Sequence, residues 1–397
     1  MGFRSFFGLT KKKKEKRKKR RGGRSSSDDD EEWRRQDPYM PSVVRAHLTK
    51  HFRDRGDYRF SRLLGVGGYG MIALLENPNK NPPTRLVLKR ALRRDMVDEI
   101  RDEITSLKRF RGAAHIVQMV SFRDRDADET SSDGTLPGPY IVLDYLENGT
   151  FQEFLERVVK AKARPPNRVL WSILLCFIRA CVGLTWPSRG FQGQRERLEE
   201  TSAVRGPTAA IAHSDLHMKN VMFGSLQPDV EEHSLVPLCK IIDFGAAQST
   251  ELYPTAGVAP NIWQGQPSNT ESLARCFSLL PPLGQQMLLR LIVGTTVLPP
   301  KTRAVMSNGV ETDAAPLWAR GEYQRYPWLD ERLRVIVGSL MTPDHRYRPT
   351  LENLLQGTTQ VLSGLSSRSF PQAMQQNETT RAVRAFVQRF LLDAQND

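Results

Sequence analysis

Two short phrases constrain this chain more than anything else in it: His213-Ser214-Asp215-Leu216-His217-Met218-Lys219-Asn220 and Ile241-Ile242-Asp243-Phe244-Gly245. The first sets an Asp and an Asn five positions apart on a stretch that reads as a loop; the second sets an Asp directly after a short apolar run. Two strand-like runs lie between them, so the pair reads as one loop-and-hairpin region carrying a carboxylate, an amide and a second carboxylate. Those oxygens suit phosphoryl transfer, which needs a carboxylate to orient an incoming hydroxyl and take its proton, and oxygen ligands to hold magnesium against phosphates. Asp215 suits the first task, and Asn220 and Asp243 suit the second.

Upstream, the run from Tyr58 to Leu64 reads as a strand entering Gly65-Val66-Gly67-Gly68-Tyr69-Gly70, and Met71 to Leu75 resumes a strand. Glycines in such a hairpin let backbone N–H groups approach phosphate oxygens with no Cβ in the way. A dinucleotide-binding G-x-G-x-x-G opens a helix, whereas Ile72 and its successors alternate like a strand. Leu86-Val87-Leu88-Lys89 is a further strand ending in a cation, and Asp98 to Phe110 is an amphipathic helix carrying Glu99 and Glu103 one turn apart. Tyr140 to Leu146 reads as a buried strand running into the turn Glu147-Asn148-Gly149.

In this order and spacing, with Arg348-Pro349-Thr350 near the end, the phrases resemble the protein-kinase superfamily, with its Gly-rich loop, V-A-I-K strand, H-R-D-x-x-x-x-N loop and D-F-G turn. The likeness covers about residues 58–365. It implies a two-lobed α+β fold, with a mainly antiparallel β N-lobe holding one helix over 58–143 and a larger helical C-lobe over 144–365. By the same likeness ATP and Mg2+ are the cofactors and a protein Ser/Thr hydroxyl is the acceptor. Gly65, Gly67, Gly70, Ile72, Val87, Leu143, Asp144 and Leu146 would then surround the nucleotide. Lys89, positioned by Glu103, would orient its α- and β-phosphates; Asn220 and Asp243 would hold magnesium, and Asp215 would accept the hydroxyl proton.

The chain also departs from the family. Ser214 stands where the Arg of H-R-D is expected, so activity is expected not to depend on phosphorylation of an activation loop. His217 replaces a frequent Lys, while Lys219 keeps a cation near the transferring phosphate. Ala259-Pro260-Asn261 lacks the Glu of A-P-E, and an alternative alignment starts the next helix at Asn261-Ile262-Trp263. Arg348, whose family partner is that Glu, must find another or stay solvated. Two rival readings follow: the phrase H-x-D-L-H-x-x-N is similar to that of aminoglycoside- and choline-kinase-like phosphotransferases, and the missing Arg and Glu suit an ATP-binding pseudokinase scaffold. His213 and His217 are read as a loop support and a polar wall, since magnesium prefers oxygen.

Composition bounds the rest. Of the net charge of +14, residues 1–35 hold fourteen Lys or Arg against six Asp or Glu, so the remaining chain is only mildly basic and no direct nucleic-acid binding is expected from the folded domain. Lys11 to Arg21 is basic at ten of eleven positions, and Ser25 to Glu32 turns acidic. Residues 1–57 are therefore expected to be a disordered tail. The basic run fits a nuclear-import receptor, a nucleic-acid patch, an anionic membrane surface or a solvated tail. Phe6 stands where myristoylation of Gly2 wants Ser or Thr.

Cys176, Cys181, Cys239 and Cys276 have neither disulfide-framework nor zinc-site spacing, which points to a reducing interior, nucleus or cytoplasm. Val169 to Trp186 approaches membrane-spanning length but carries Arg179 at its centre, so it reads as a buried helix. Insertions at 187–210 and 225–237 read as surface additions that leave the core intact. Residues 366–397 form a helical extension, whose stripe of Val383, Phe386, Val387, Phe390 and Leu391 is expected to dock on its own lobe of a monomer.

Overall fold

The computed structural model describes residues 41–54, 57–66, 70–124, 138–188, 190–191, 193–201, 211–249, 282–298, 303–318, 326–344 and 347–393. The chain divides into two compact units, one of residues 1–105 with 119–145 and the other of residues 106–118 with 146–397. The protein is mixed α+β.

The first unit is built on five strands: β1 (Arg59–Val66), β2 (Met71–Asn77), β3 (Thr84–Arg90), β4 (Met119–Arg123) and β5 (Tyr140–Asp144). They pair antiparallel in the order β1-β2-β3-β5-β4. Side chains alternate across a strand, so Met71, Ala73 and Leu75 of β2 reach one face together and meet Leu88 and Val142 in a common cluster. Helix α1 (Pro41–Asp54) adds Val44 and Leu48 to that cluster, both fully buried, with Phe52 against its edge. This corrects the expectation of a disordered tail through residue 57. Val44, Leu48 and Phe52 recur at i, i+4 and i+8, a narrow apolar stripe that the surrounding charge hides. The expectations for residues 1–40, including the basic run, lie outside the described residues.

Helix α2 (Val97–Arg109) follows, with Ile100 and Ile104 buried. In the second unit, helix α3 (Phe151–Lys160) starts at a capping box. Thr150 accepts from the Glu153 amide while the Glu153 carboxylate accepts from the Thr150 amide, which satisfies two donors at the helix start. Helix α4 (Asn167–Thr185) is the centre of this unit. Among the described residues it is the one helix long and apolar enough to cross a membrane, and 94% of its most apolar window is buried inside the protein. Its mid-helix Arg179 is buried too, donating through Nε to Glu232 Oε2 at 2.7 Å.

Helices α5 (Pro282–Val293), α6 (Glu331–Leu340) and α7 (Leu351–Ser363) complete the core, and α7 packs along α4. The C-terminal helix α8 (Thr380–Val387) buries Val383, Phe386 and Val387, and Phe390 and Leu391 are buried just beyond it. As the apolar stripe predicts, this segment docks on its own unit. Phe386 meets Phe154 of α3, and the Glu378 carboxylate accepts from the Asn167 and Arg168 amides at the start of α4.

Candidate active site

Lys89 is the sixth residue of β3, held opposite Ile72 on one side and Ile141 on the other. Its Nζ lies 2.7 Å from Oε2 of Glu103, which is 1% exposed, whereas Glu99 points to solvent. The amphipathic spacing of α2 decides between the two: a residue one turn beyond Glu99 sits among Ile100, Ile104 and Leu107 on the buried face. Gly65 lies within β1 opposite Ile72. Gly70 is required for a different reason, since a Cβ there would sit 2.7 Å from the carbonyl oxygen of Arg90. Val87 and Asp144 are half-buried and Leu143 is buried in the same unit; Leu146 is buried in the other. Gly67 lies outside the described residues.

Asp215, Lys219, Asn220 and Asp243 all belong to the second unit. Strands β6 (Ile211–Ala212) and β9 (Gln248–Ser249) pair at one side of the loop, and β7 (Val221–Phe223) pairs antiparallel with β8 (Cys239–Ile241) at the other. Val221 faces Ile241, so Asn220 just before β7 and Asp243 just after Ile242 emerge at the same end of that ladder. The Ile242 amide donates to the Asn220 carbonyl at 3.0 Å, extending the pairing by one residue. Asn220 Nδ2 donates to the Asp215 carbonyl at 2.9 Å, which fixes the amide so that Oδ1 is its remaining acceptor. One residue, through its side-chain amide and its backbone carbonyl, thus ties the Asp215 loop to the Asp243 turn.

His213 and Phe244 underpin the loop from inside, both fully buried with ring centroids 4.8 Å apart. Imidazole Nε2 of His213 bonds the Ile242 carbonyl at 2.9 Å, and the Asp215 amide donates to Nδ1 at 3.3 Å. These two bonds assign the neutral tautomer with its proton on Nε2. Burial pushes the His213 pKa down, and the bond to Ile242 only partly offsets it. Leu216 is buried and pins the loop's middle, while the Asp215 side chain is exposed. His217 Nε2 stands 3.8 Å from Asp215 Oδ2, and Lys219 is half-buried. Ser214 and Asp243 take left-handed backbone conformations, φ 61° and 66°. For a non-glycine residue each costs about 1–3 kcal/mol and persists only where the surroundings impose it.

The donor set fits magnesium, because Asn220 Oδ1 and the Asp243 carboxylate are both hard oxygen ligands. Arg348 has found another partner, donating through Nε to the Thr342 carbonyl at 2.8 Å. The segment with Ala259-Pro260-Asn261 and both of its alignments lies outside the described residues.

The insertions depart from the surface additions expected of them. In the first, Glu199 is 8% exposed and accepts from the His115 amide at 2.7 Å, and Glu196 pairs with Lys240 of β8 at 2.8 Å. In the second, Glu232 holds Arg179 and His233 is buried. The buried cation Arg179 of α4 must be paired, and the Glu232 carboxylate and the Glu199 carbonyl, one from each insertion, pair it. The insertions also surround a group that the spacing of cysteines hides: His115, Cys176 and His233 lie together inside the second unit. Burial lowers the His115 pKa, but the Glu199 carboxylate and Cys176 together outweigh it and raise the value to about 9. Burial raises the Cys176 thiol, and Cys239 with the two imidazoles overturns that and holds it well below its ordinary value.

The chain matches no protein-family model, and a search of curated proteins finds no match.

Proposed function

We propose that the protein is an ATP-dependent phosphotransferase of the protein-kinase type that passes a γ-phosphoryl group to protein Ser or Thr hydroxyls. The observation that carries this reading is the Asp215–Asn220–Asp243 arrangement. Asn220 bonds the Asp215 loop through its amide nitrogen, and the Ile242-to-Asn220 backbone bond sets Asn220 beside the turn that bears Asp243. Asp215, exposed on a loop pinned by the buried His213 and Leu216, would accept the hydroxyl proton. Asn220 and Asp243 would hold Mg2+, which supplies charge neutralisation at the phosphates when bound. Lys89, locked by Glu103, presents a directed ammonium for the nucleotide phosphates.

Loop geometry supports the same reading. The left-handed Asp243 and the tautomer fixed at His213 hold the backbone that carries both carboxylates before any substrate arrives, which lessens the reorganisation left for the reaction. Lys219 adds a cation two residues beyond His217. One observation favours a small-molecule acceptor instead: His217 stands 3.8 Å from Asp215, at the position where Ser/Thr protein kinases commonly carry a lysine.

The test offers radiolabelled ATP and Mg2+ with casein, myelin basic protein and a panel of small alcohols to wild type and Asp215→Ala. Label on phosphoserine or phosphothreonine in the wild type, lost by about 10²–10⁴-fold in the variant, supports the protein-kinase reading. Label on an alcohol alone promotes the small-molecule reading, and ATP binding without transfer to any acceptor points to a scaffold.

A further inference from the structure

The second unit holds a cluster that phosphoryl transfer does not use. His115 lies on the segment after α2, Cys176 in the middle of α4, and His233 in the insertion between β7 and β8. The three are 0%, 1% and 1% exposed, and one potential ligand atom from each lies within 4.8 Å of the others. The rings of His115 and His233 are 5.1 Å apart. Nε2 of His115 and both ring nitrogens of His233 are buried without a hydrogen-bond partner. Buried polar atoms are almost always satisfied, and three orphaned imidazole nitrogens in one place call for a group that satisfies them.

We propose that His115, Cys176 and His233 bind one zinc-class divalent cation that staples the second unit internally. Two imidazoles and a thiolate are borderline-to-soft donors that suit zinc, and they are poor ligands for magnesium or calcium. The surroundings match what such a site needs. Glu199 Oε2 lies 2.7 Å from Nδ1 of His115, so the carboxylate takes that N–H and turns Nε2 toward the cation. The charges also close: a divalent ion beside one thiolate and the Glu199 carboxylate sums to zero, the condition for burial.

A tetrahedral zinc with bonds of about 2.0–2.3 Å holds its ligand atoms roughly 3.3–3.7 Å apart, so binding draws this cluster inward by about an ångström. It releases the proton of Cys176 and any on the imidazoles. The burial assigns a structural role, because a catalytic zinc keeps an open position and this one has no solvent-facing ligand. His115 accepts through its carbonyl from the Ile241 amide at 2.9 Å, so the staple reinforces the strand that leads to Asp243.

The experiment measures metal content of the protein purified without chelator and reduced, followed by exchange of bound metal for Co2+. We expect one zinc per chain, and for the cobalt form the visible bands of tetrahedral Co2+ with a thiolate-to-metal charge-transfer band. Cys176→Ser should remove the charge-transfer band, Cys181→Ser in the same helix should keep it, and Glu199→Gln should weaken metal affinity about 10–100-fold. Zinc far below one per chain after incubation with excess Zn2+, an octahedral cobalt spectrum, or a charge-transfer band that survives Cys176→Ser would each overturn the proposal. The wild-type cobalt spectrum decides even if a variant fails to fold.

Discussion

Glu103 and His213 show how single residues set the chemistry of the two units. Glu103 is buried against Lys89, and removing one member of a buried pair commonly costs about 3–5 kcal/mol while releasing the other. Glu103→Ala should therefore lower kcat/KM about 10²-fold by freeing Lys89 to wander, with some loss of Tm; steady-state kinetics beside a melting curve check it, and unchanged kinetics would make the pair purely structural. His213 is held neutral by burial, its folded pKa below the ordinary 6.5. The unfolded chain then binds the extra proton more readily. Its contribution is fully present above pH 6.5 and is lost as pH falls from there through the depressed folded value, and His213→Gln should flatten that part of a pH–stability curve. Asp215, Asn220 and Asp243 were legible in the sequence because their neighbours are local. His115, Cys176 and His233 were not, because residues so far apart acquire a shared purpose only when α4 and two loops converge.

Among the elements, α1 and the insertions carry the main lessons. Val44 and Leu48 are fully buried against β2 and β3, although their segment adjoins a stretch dominated by charge. Leu48→Ala should destabilise the protein by about 2–5 kcal/mol in denaturant melts, where a residue of a disordered tail would change stability by under about 0.5 kcal/mol. Periodicity located β1, β2, β3 and β5 with α2 and α4, because each shows its period of two or 3.6. α1 escaped because composition outweighed a stripe of three residues. The first insertion reads as polar and loop-like, yet its Glu199 is buried and its Glu196 holds Lys240, since a carboxylate can enter a core wherever a cation or an amide waits for it.

For the whole molecule, the division between residues 145 and 146 follows the strand Tyr140–Asp144, and each unit brings its own set of groups. The first contributes Lys89 with Glu103; the second contributes Asp215, Asn220 and Asp243 on a loop and ladder fixed by His213 and Phe244. The proposed reaction draws on both sets, so substitutions in either unit are expected to reduce the same turnover number. The central claim is that Asp215 acts as the base in magnesium-dependent transfer from ATP. Its most direct test is the rate of ADP formation with a phosphate acceptor, measured on wild type and Asp215→Ala of equal Tm and equal ATP affinity. The account predicts a rate in the wild type that disappears without Mg2+ and falls about 10²–10⁴-fold in the variant. Equal rates in the two proteins, or a wild type that binds ATP and forms no ADP, would contradict it.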